Sequence, residues 1–198
     1  VSTMRDEQGR PDLREFTEQV GERLYNVGRL DTDTSGLLVL TNDGDLAHRL
    51  AHPKFGVQKT YVAKVRGKAT PAVIQRLKGG VDLDDGPIRV DAAKLLSGGS
   101  SRSHSLVEVT LHSGRNRIVR RMLAAVGHPV DELVRRQFGP LHLGTLRVGE
   151  LRELSSGERG ALLSAAHDGE DHAASGVTAG RPGDGKGAKG MHGIARPR

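Results

Sequence analysis

Apolar side chains recur at helical spacing in two early segments of the chain, 12–20 and 43–51, which we therefore predict to be helices. Between them, residues 24–27 lead as a short strand into the unbroken apolar run 36–40. Turn residues bound this run on both sides, a pattern typical of a strand buried in a core. The pattern thus predicts a helix, two strands and a second helix in this part of the chain.

The alternation of short strands and short helices continues beyond this point. Residues 59–66 alternate apolar and polar side chains as a strand does, and residues 81–89 resemble a hairpin about Asp85 and Gly86. Further strands are predicted over 88–96, 104–111, 132–138 and 146–154, and further helices over 70–78, 115–126 and 155–166. These elements and their hairpin-like links predict an α+β fold with a mixed, largely antiparallel sheet flanked by helices.

The composition changes at residue 167. Residues 168–198 contain no aromatic side chain and are dense in glycine. Such a segment cannot bury enough apolar surface to offset the entropy lost on ordering. We therefore expect one folded domain over 1–166 and a disordered, glycine-rich tail over 167–198 whose far end is basic.

Composition and charge favour a polyanionic partner. The chain of 198 residues has 30 Lys and Arg against 24 Asp and Glu, with a pI of about 10.0. The absence of cysteine excludes disulfides and thiol chemistry. Disulfides are rare in the cytoplasm, where we expect the protein. Aromatic residues make up 3%, too few for the broad stacking platform of single-strand binders. No apolar run is long enough to cross a membrane, so we expect no membrane partner.

The stretch 27–44, VGRLDTDTSGLLVLTNDG, joins the buried strand to a charged turn in front of it. The turn holds Asp31 at the rim of the core, with Arg29 two residues earlier. A carboxylate in that position can stabilise positive charge or accept a proton. The residues alone leave open whether Asp31 does so or is an ordinary acid in a surface turn.

In register, this stretch resembles the catalytic motif of the RsuA/RluB-type pseudouridine synthases, written G-R-L-D-x-x-T-x-G-L-L-x-L-T-N-D-G. The resemblance implies a pseudouridine synthase catalytic domain with a central active-site cleft, in which Asp31 is the catalytic carboxylate. In the family's reaction the base of a target uridine detaches from the sugar, turns and rejoins through a ring carbon. Whether Asp31 attacks the sugar or removes a proton from it stays open.

A second match, SGRNRIVRRML over 113–123, resembles the family's later motif G-R/K-N-R-x-V-R-R-M. By resemblance, Arg120 is the partner of Asp31, since a guanidinium keeps a partly buried carboxylate ionised and oriented. The alternative for Arg120 is a solvated basic helix face. Many relatives carry Gln where this chain has Ile118, which weakens a polar role there. The candidate RNA-binding residues are Lys59, Arg115, Asn116, Arg117 and Arg121.

Two further residues are assigned by resemblance. Tyr61 belongs to a K-x-Y strand match, and its ring can stack on an extruded base while its hydroxyl lies near the carbon that loses a proton. The general alternative is a half-buried strand tyrosine. Arg29 is expected to help hold the target nucleotide out of its helix, although it could instead bind phosphate or pair with Asp43.

The resemblance implies a ribosomal RNA pseudouridine synthase that acts without cofactor or metal. We expect ribosomal RNA as the partner, of the large rather than the small subunit, and a monomeric protein. Relatives usually carry a small alpha-L RNA-binding domain at the N-terminus, which we expect to have been removed here or to precede the numbering. The alternatives are a non-catalytic RNA-binding factor of ribosome assembly and a nucleoside or glycoside hydrolase, which would need a second acid.

Overall fold

The computed structural model describes Ser2 and residues 12–98, 101, 103–174 and 191–196. The helices are α1 (Arg14–Val20), α2 (Gly44–Ala51), α3 (Pro71–Gly79), α4 (Ile118–Ala125) and α5 (Ser156–Ala174). The strands are β1 (Tyr25–Val27), β2 (Thr34–Thr41), β3 (Lys59–Arg66), β4 (Val81–Leu83), β5 (Gly86–Ile88), β6 (Ala92–Leu95), β7 (His104–Leu111), β8 (Val130–Phe138), β9 (Leu141–His142), β10 (Leu151–Glu153) and β11 (Met191–Arg196). None of the described helices has the length and apolarity needed to cross a membrane.

Nine of the described strands form one sheet in the order β10-β11-β2-β8-β3-β7-β6, with β1 beside β2 and β9 beside β8. Strands β2 and β8 run parallel, whereas the other described pairs in this sheet run antiparallel. A separate hairpin pairs β4 with β5. The predicted α+β class with a mixed, largely antiparallel sheet is therefore confirmed.

Strand β2 lies at the centre of the fold because both of its faces are buried. Leu37 and Val39 pack into an apolar cluster with residues of α2 and α5. Leu38 and Leu40 pack into a different cluster, formed with α1. A strand covered on both faces needs a continuous apolar sequence, which explains the run that the pattern identified.

Gly36 allows β2 to approach β8 closely. It pairs with Arg135 on β8 and has a φ of +111°. A Cβ atom at this position would lie 2.3 Å from the backbone oxygen of Arg135. Because only glycine fits this approach, Gly36 fixes how the turn in front of β2 lies against β8.

A third cluster fills the space between the sheet and helices α3 and α4. From α4 it receives Val119, Met122 and Leu123, so the predicted apolar face of this helix is confirmed as buried. Helix α4 begins at Ile118 rather than at residue 115, because Arg117 in front of it has a left-handed φ of 46°.

Other predicted elements differ from the structure at their ends. Only Leu151–Glu153 of the predicted strand 146–154 is a strand. The capping box predicted for α5 is present: the Glu158 amide donates to the Ser155 hydroxyl at 3.2 Å, and the Ser155 amide donates to the Glu158 carboxylate at 2.9 Å.

The predicted disordered tail requires correction in two segments. Helix α5 continues through residues 167–174, and Met191–Arg196 forms β11, which pairs antiparallel with both β10 and β2. Composition conceals this strand because its pairing depends on backbone groups of a distant part of the chain. Residues 175–190 and 197–198, which the same prediction covers, lie outside the described residues.

Candidate active site

A cleft of about 410 Å³ lies between the turn before β2, strands β3 and β8, and the loop that leads into α4. This volume falls in the range of small-molecule sites, roughly 300–1,000 Å³. All three sequence motifs contribute to it. Its polar lining residues are Arg29, Asp31, Thr34, Lys59, Tyr61, Ser113, Arg115, Asn116, Arg117 and Arg135.

Asp31 lies at the rim of the core, as the pattern predicts. Its neighbour Leu30 is 4% exposed, and both the amide and the carbonyl of Leu30 bond to the Ser2 hydroxyl at 3.0 Å. The Asp31 carbonyl accepts a hydrogen bond from the Thr34 amide at 2.9 Å, which closes the turn into β2. The Asp31 side chain is 36% exposed, so its carboxylate is accessible from the cleft.

The cation beside Asp31 is Arg117. Its Nη1 lies 4.0 Å from the Asp31 carboxylate, while its guanidinium donates two hydrogen bonds to the carboxylate of Asp33, at 2.8 and 2.6 Å. The bond from Arg117 holds the pKa of Asp33 below its usual value, and the same bond raises the pKa of Arg117. Asp31 therefore faces a guanidinium whose position a second acid fixes.

The expected pair of Asp31 and Arg120 is not present. Arg120 donates to the backbone carbonyls of Asp33, at 2.6 Å, and Val130, at 3.0 Å. Its Nε lies 3.3 Å from the Asp33 carboxylate but is not aligned for a hydrogen bond. Because the side chain is only 11% exposed, the solvated helix face is excluded too. Arg120 instead connects the loop after Asp31 to the start of β8.

Tyr61 lines the same cleft as Asp31, as the resemblance implies. Its cross-strand partner on β8 is Arg135. Arg135 and Lys59 lie 5.4 and 5.6 Å from the centre of the Phe138 ring. Burial, and then the charge of Arg135, lowers the pKa of Lys59 to about 8. The cleft thus contains a tyrosine and two cations in addition to the groups around Asp31.

The remaining arginines of the second motif are engaged by other groups of the protein. Arg115 lines the cleft, yet it donates to the backbone carbonyls of Gly86 and Pro87 at 3.0 and 3.1 Å. Arg121 is not among the lining residues. Its guanidinium bonds to the carboxylates of Asp85 and Asp84, which raises the pKa of Arg121. A role of Arg121 in RNA binding would have to compete with these two acids.

Arg29 and Asn116 both line the cleft, where they can meet a ligand. The alternative pairing of Arg29 with Asp43 is not among the described ion pairs. The carboxylate of Asp43 accepts a hydrogen bond from the Leu46 amide at 3.0 Å and so caps α2.

Comparison with known proteins identifies the family. Residues 2–125, more than half of the chain, match the family model described as RNA pseudouridylate synthase. The chain belongs to the RNA pseudouridylate synthase family. The matched range includes both motifs, so their resemblance to pseudouridine synthases is confirmed.

Individual members of the RNA pseudouridylate synthase family support this assignment. An uncharacterized RNA pseudouridine synthase of Mycobacterium tuberculosis is 50% identical over 167 residues, which cover 83% of this chain and 65% of that protein. Ribosomal large subunit pseudouridine synthase B of Bacillus subtilis is 42% identical over 171 residues, covering 86% of this chain and 70% of that protein. A crystal structure of a pseudouridylate synthase superposes with a TM-score of 0.65 at 32% identity, over 77% of this chain and 65% of that one. This chain therefore spans less than two thirds of the mycobacterial relative.

Two residues of this family member carry no motif assignment in the sequence: Asp33, which holds Arg117, and Arg135, which lines the cleft. Asp33 occupies a variable position of the first motif, and no local pattern distinguishes it from an ordinary turn acid. Arg135 did carry a signal. It is two residues beyond the buried Leu133 in a predicted strand, so it falls on the inward face, where a charge is unusual.

Proposed function

We propose that this chain isomerises uridine to pseudouridine in RNA. The supporting observation is that Asp31 and Tyr61, which come from separate motifs, line one cleft together with Lys59, Arg117 and Arg135. A protein that only bound RNA would need the cations. It would have no use for a carboxylate and a phenol facing the same small cavity.

In this proposal the target nucleotide leaves its helix and its base enters the cleft, because the reacting atoms are otherwise inaccessible. The ring of Tyr61 stacks on the base. The carboxylate of Asp31 then either bonds to the anomeric carbon of the sugar or removes a sugar proton. A single acid suffices, since the base itself returns as the nucleophile and no water has to be activated.

The supporting residues around Asp31 have different tasks. Arg117 places positive charge at this edge of the cleft, 4.0 Å from the carboxylate. Arg120 acts as a positioning residue, because it holds the backbone of the loop that follows Asp31. Arg29, Arg115 and Asn116 lie where they can contact the strand that carries the target nucleotide.

Large-subunit ribosomal RNA is the proposed substrate. Two considerations support it: the excess of basic residues, and the name of the Bacillus subtilis relative, a ribosomal large subunit pseudouridine synthase. The proposal keeps the expectation of a monomer. It also keeps the expected cytoplasmic location. No step of the proposed reaction uses a cofactor or a metal.

The test is to incubate the protein with uridine-labelled ribosomal RNA, digest the RNA and separate pseudouridine from uridine. Asp31→Asn keeps the size of the side chain and removes its charge, so product formation should fall to the uncatalysed level. RNA affinity should stay the same or rise, because a negative charge near phosphates is removed. Asp45→Asn, an exposed acid on α2, is the matched control and should remain active. Full conversion by Asp31→Asn would refute the proposal.

A further inference from the structure

Lys59 and Arg135 are the most deeply placed charges of the cleft. The two residues are 7% and 2% exposed, whereas the side chains of Asp31 and Arg117 are 36% and 42% exposed. Lys59 reaches the cleft from the first position of β3 and Arg135 from the facing strand β8. A ligand that fills the cleft therefore meets Asp31 near the entrance and these two cations deeper inside.

Neither cation is neutralised by the part of the protein that the structure describes. Arg135 donates from Nε to the carbonyl of Leu37 at 2.7 Å and from Nη1 to the carbonyl of Arg29 at 3.4 Å, and its buried Nη2 has no hydrogen-bond partner. No described carboxylate lies within ion-pair distance of Lys59 or Arg135. The described contact of the Lys59 ammonium is the face of the Phe138 ring, 5.6 Å from its centre.

Burying two unpaired cations side by side is unfavourable for folding. The lowered pKa of Lys59, about 8, reflects this burial and the nearby charge of Arg135. At neutral pH the ammonium is nevertheless still mostly protonated. Groups with such pKa values cluster at functional sites, where an incoming negative charge makes the arrangement favourable.

We infer that Lys59, supported by Arg135, stabilises the negative charge that develops on the uracil ring when its bond to the sugar breaks. This inference rests on the proposed function and assigns to Lys59 a catalytic role instead of the general RNA-binding role expected from the sequence. The anion that it recognises is a detached pyrimidine base.

The electron balance of the reaction requires such a group. When the C1′–N1 bond breaks, its electron pair stays with the ring and spreads over N1, O2 and O4. The sugar meanwhile bonds to Asp31 or loses a proton to it. The ring then turns and C5 bonds to C1′ while Asp31 leaves C1′ with the electrons of its bond or returns the proton to the sugar. C5 then gives up its proton and N1 gains one, so that product and substrate have the same atoms. Between the two bonds the cleft holds a pyrimidine anion, and a fixed cation stabilises it without reorganising.

The depth of Lys59 in the cleft indicates that its ligand is the base of the nucleotide and not a phosphate. The base is the part of an extruded nucleotide that enters an active site furthest, while the phosphates stay with the strand outside. Tyr61, which follows Lys59 by two residues on the same face of β3, presents a ring to that same base.

The experiment compares Lys59→Met with the unchanged protein on two RNAs that carry either uridine or 5-fluorouridine at the target position. 5-Fluorouracil is the stronger acid, so its anion needs less stabilisation. Under single-turnover conditions with saturating protein, Lys59→Met should slow the loss of uridine about 100-fold. It should slow the loss of 5-fluorouridine by only about tenfold. Without the lysine, the rate of bond cleavage depends more steeply on the acidity of the leaving base, which favours 5-fluorouracil.

Lys54→Met is the matched control, because Lys54 is an exposed lysine whose ammonium lies 4.6 Å from the centre of an aromatic ring outside the cleft. It should slow neither substrate. Equal slowing of both substrates by Lys59→Met would overturn the inference. The inference would also be overturned if Lys59→Met bound RNA more weakly, with a shallower salt dependence, while the single-turnover rate of the bound RNA stayed unchanged. That result would favour a phosphate contact. If the unchanged protein forms no pseudouridine, the proposed function fails instead.

Discussion

Arg117 is bound by Asp33 through two hydrogen bonds, although it lies only 4.0 Å from Asp31. The two partners are 84 residues apart in the sequence. Asp33 therefore determines where the guanidinium of Arg117 lies beside Asp31. Its backbone carbonyl also accepts a hydrogen bond from Arg120. The acid that organises the site is thus not the acid proposed to carry out the chemistry.

Asp33→Asn should lower stability in a pH-dependent way. The pKa of Asp33 is lower in the folded than in the unfolded protein. Its carboxylate therefore stabilises the fold fully above the ordinary carboxyl pKa of 3.8, and this stabilisation is lost as the pH falls through the lower pKa of the folded state. Because the side chain is 46% exposed, solvent screening limits the effect to about 1 kcal/mol or less. Urea unfolding should show a constant difference from the unchanged protein between pH 5 and 8 that shrinks as the pH falls below 3.8. A difference that persists at low pH would contradict this prediction.

Arg120→Met should reduce both stability and turnover. It leaves the carbonyls of Asp33 and Val130 without their donor, which should cost about 1–3 kcal/mol, and it loosens the loop after Asp31. Arg117→Met is the control, since its side chain is 42% exposed and its loss should affect stability less. The measurements are urea unfolding and the separate determination of kcat and KM. A positioning role predicts a fall in kcat with little change in KM, and unchanged kcat would argue against it.

Gly36→Ala should strongly destabilise the fold. The new methyl group would clash with the backbone of Arg135, which cannot move without breaking the pairing of β2 with β8. Gly149→Ala is the matched control, because Gly149 also has a positive φ, +80°, but open space around it. We expect a loss of more than about 3 kcal/mol for Gly36→Ala and about 1 kcal/mol for the control. Equal losses in thermal unfolding would mean that backbone strain alone matters at Gly36.

Lys59→Met should stabilise the protein at neutral pH. The folded state lowers the pKa of Lys59 from 10.5 to about 8, so burial of the ammonium opposes folding most below pH 8 and is relieved as the pH rises towards 10.5. The full shift corresponds to a free energy on the order of 3 kcal/mol. In denaturant unfolding, the variant should therefore be more stable at pH 7 and lose this advantage by about pH 10. A destabilised variant at pH 7 would show that the ammonium has a favourable partner.

Removal of β11 should destabilise the domain. A chain ending at residue 190 loses the strand that pairs with β2 from Gly36 to Thr41, whereas a chain ending at residue 196 keeps it. With each lost backbone hydrogen bond contributing about 1 kcal/mol, the shorter chain should melt roughly 10 °C lower. The two truncations differ by six residues, which makes them a close comparison. Equal melting temperatures would mean that β11 does not stabilise the domain.

The parts of the fold that sequence predicts are those set by neighbouring residues. The apolar run of β2, the buried face of α4 and the capping box at Ser155 and Glu158 all follow from local spacing. The motifs likewise indicated that Asp31 and Tyr61 belong to one active site, and the structure places both in one cleft, together with Lys59, which was expected only to bind RNA.

The parts that sequence does not predict depend on distant partners. Arg117 and Arg120 have the same charge and lie on adjacent turns, so only the path of the loop after Asp31 decides which one approaches its carboxylate. Strand β11 is concealed for a related reason. Its glycine-rich surroundings carry no strand signal, and its pairing requires the exposed edge of β2, which local patterns cannot reveal.

The position of β11 also affects how the chain folds during synthesis. About 150 residues separate β2 from β11, so at typical elongation rates the apolar strand emerges from the ribosome roughly 8 to 30 s before its neighbour. During that interval one edge of β2 is unpaired, and an unpaired apolar edge is prone to join the strands of other chains. Nascent chains of this protein should therefore depend on chaperones until the last strand has been translated.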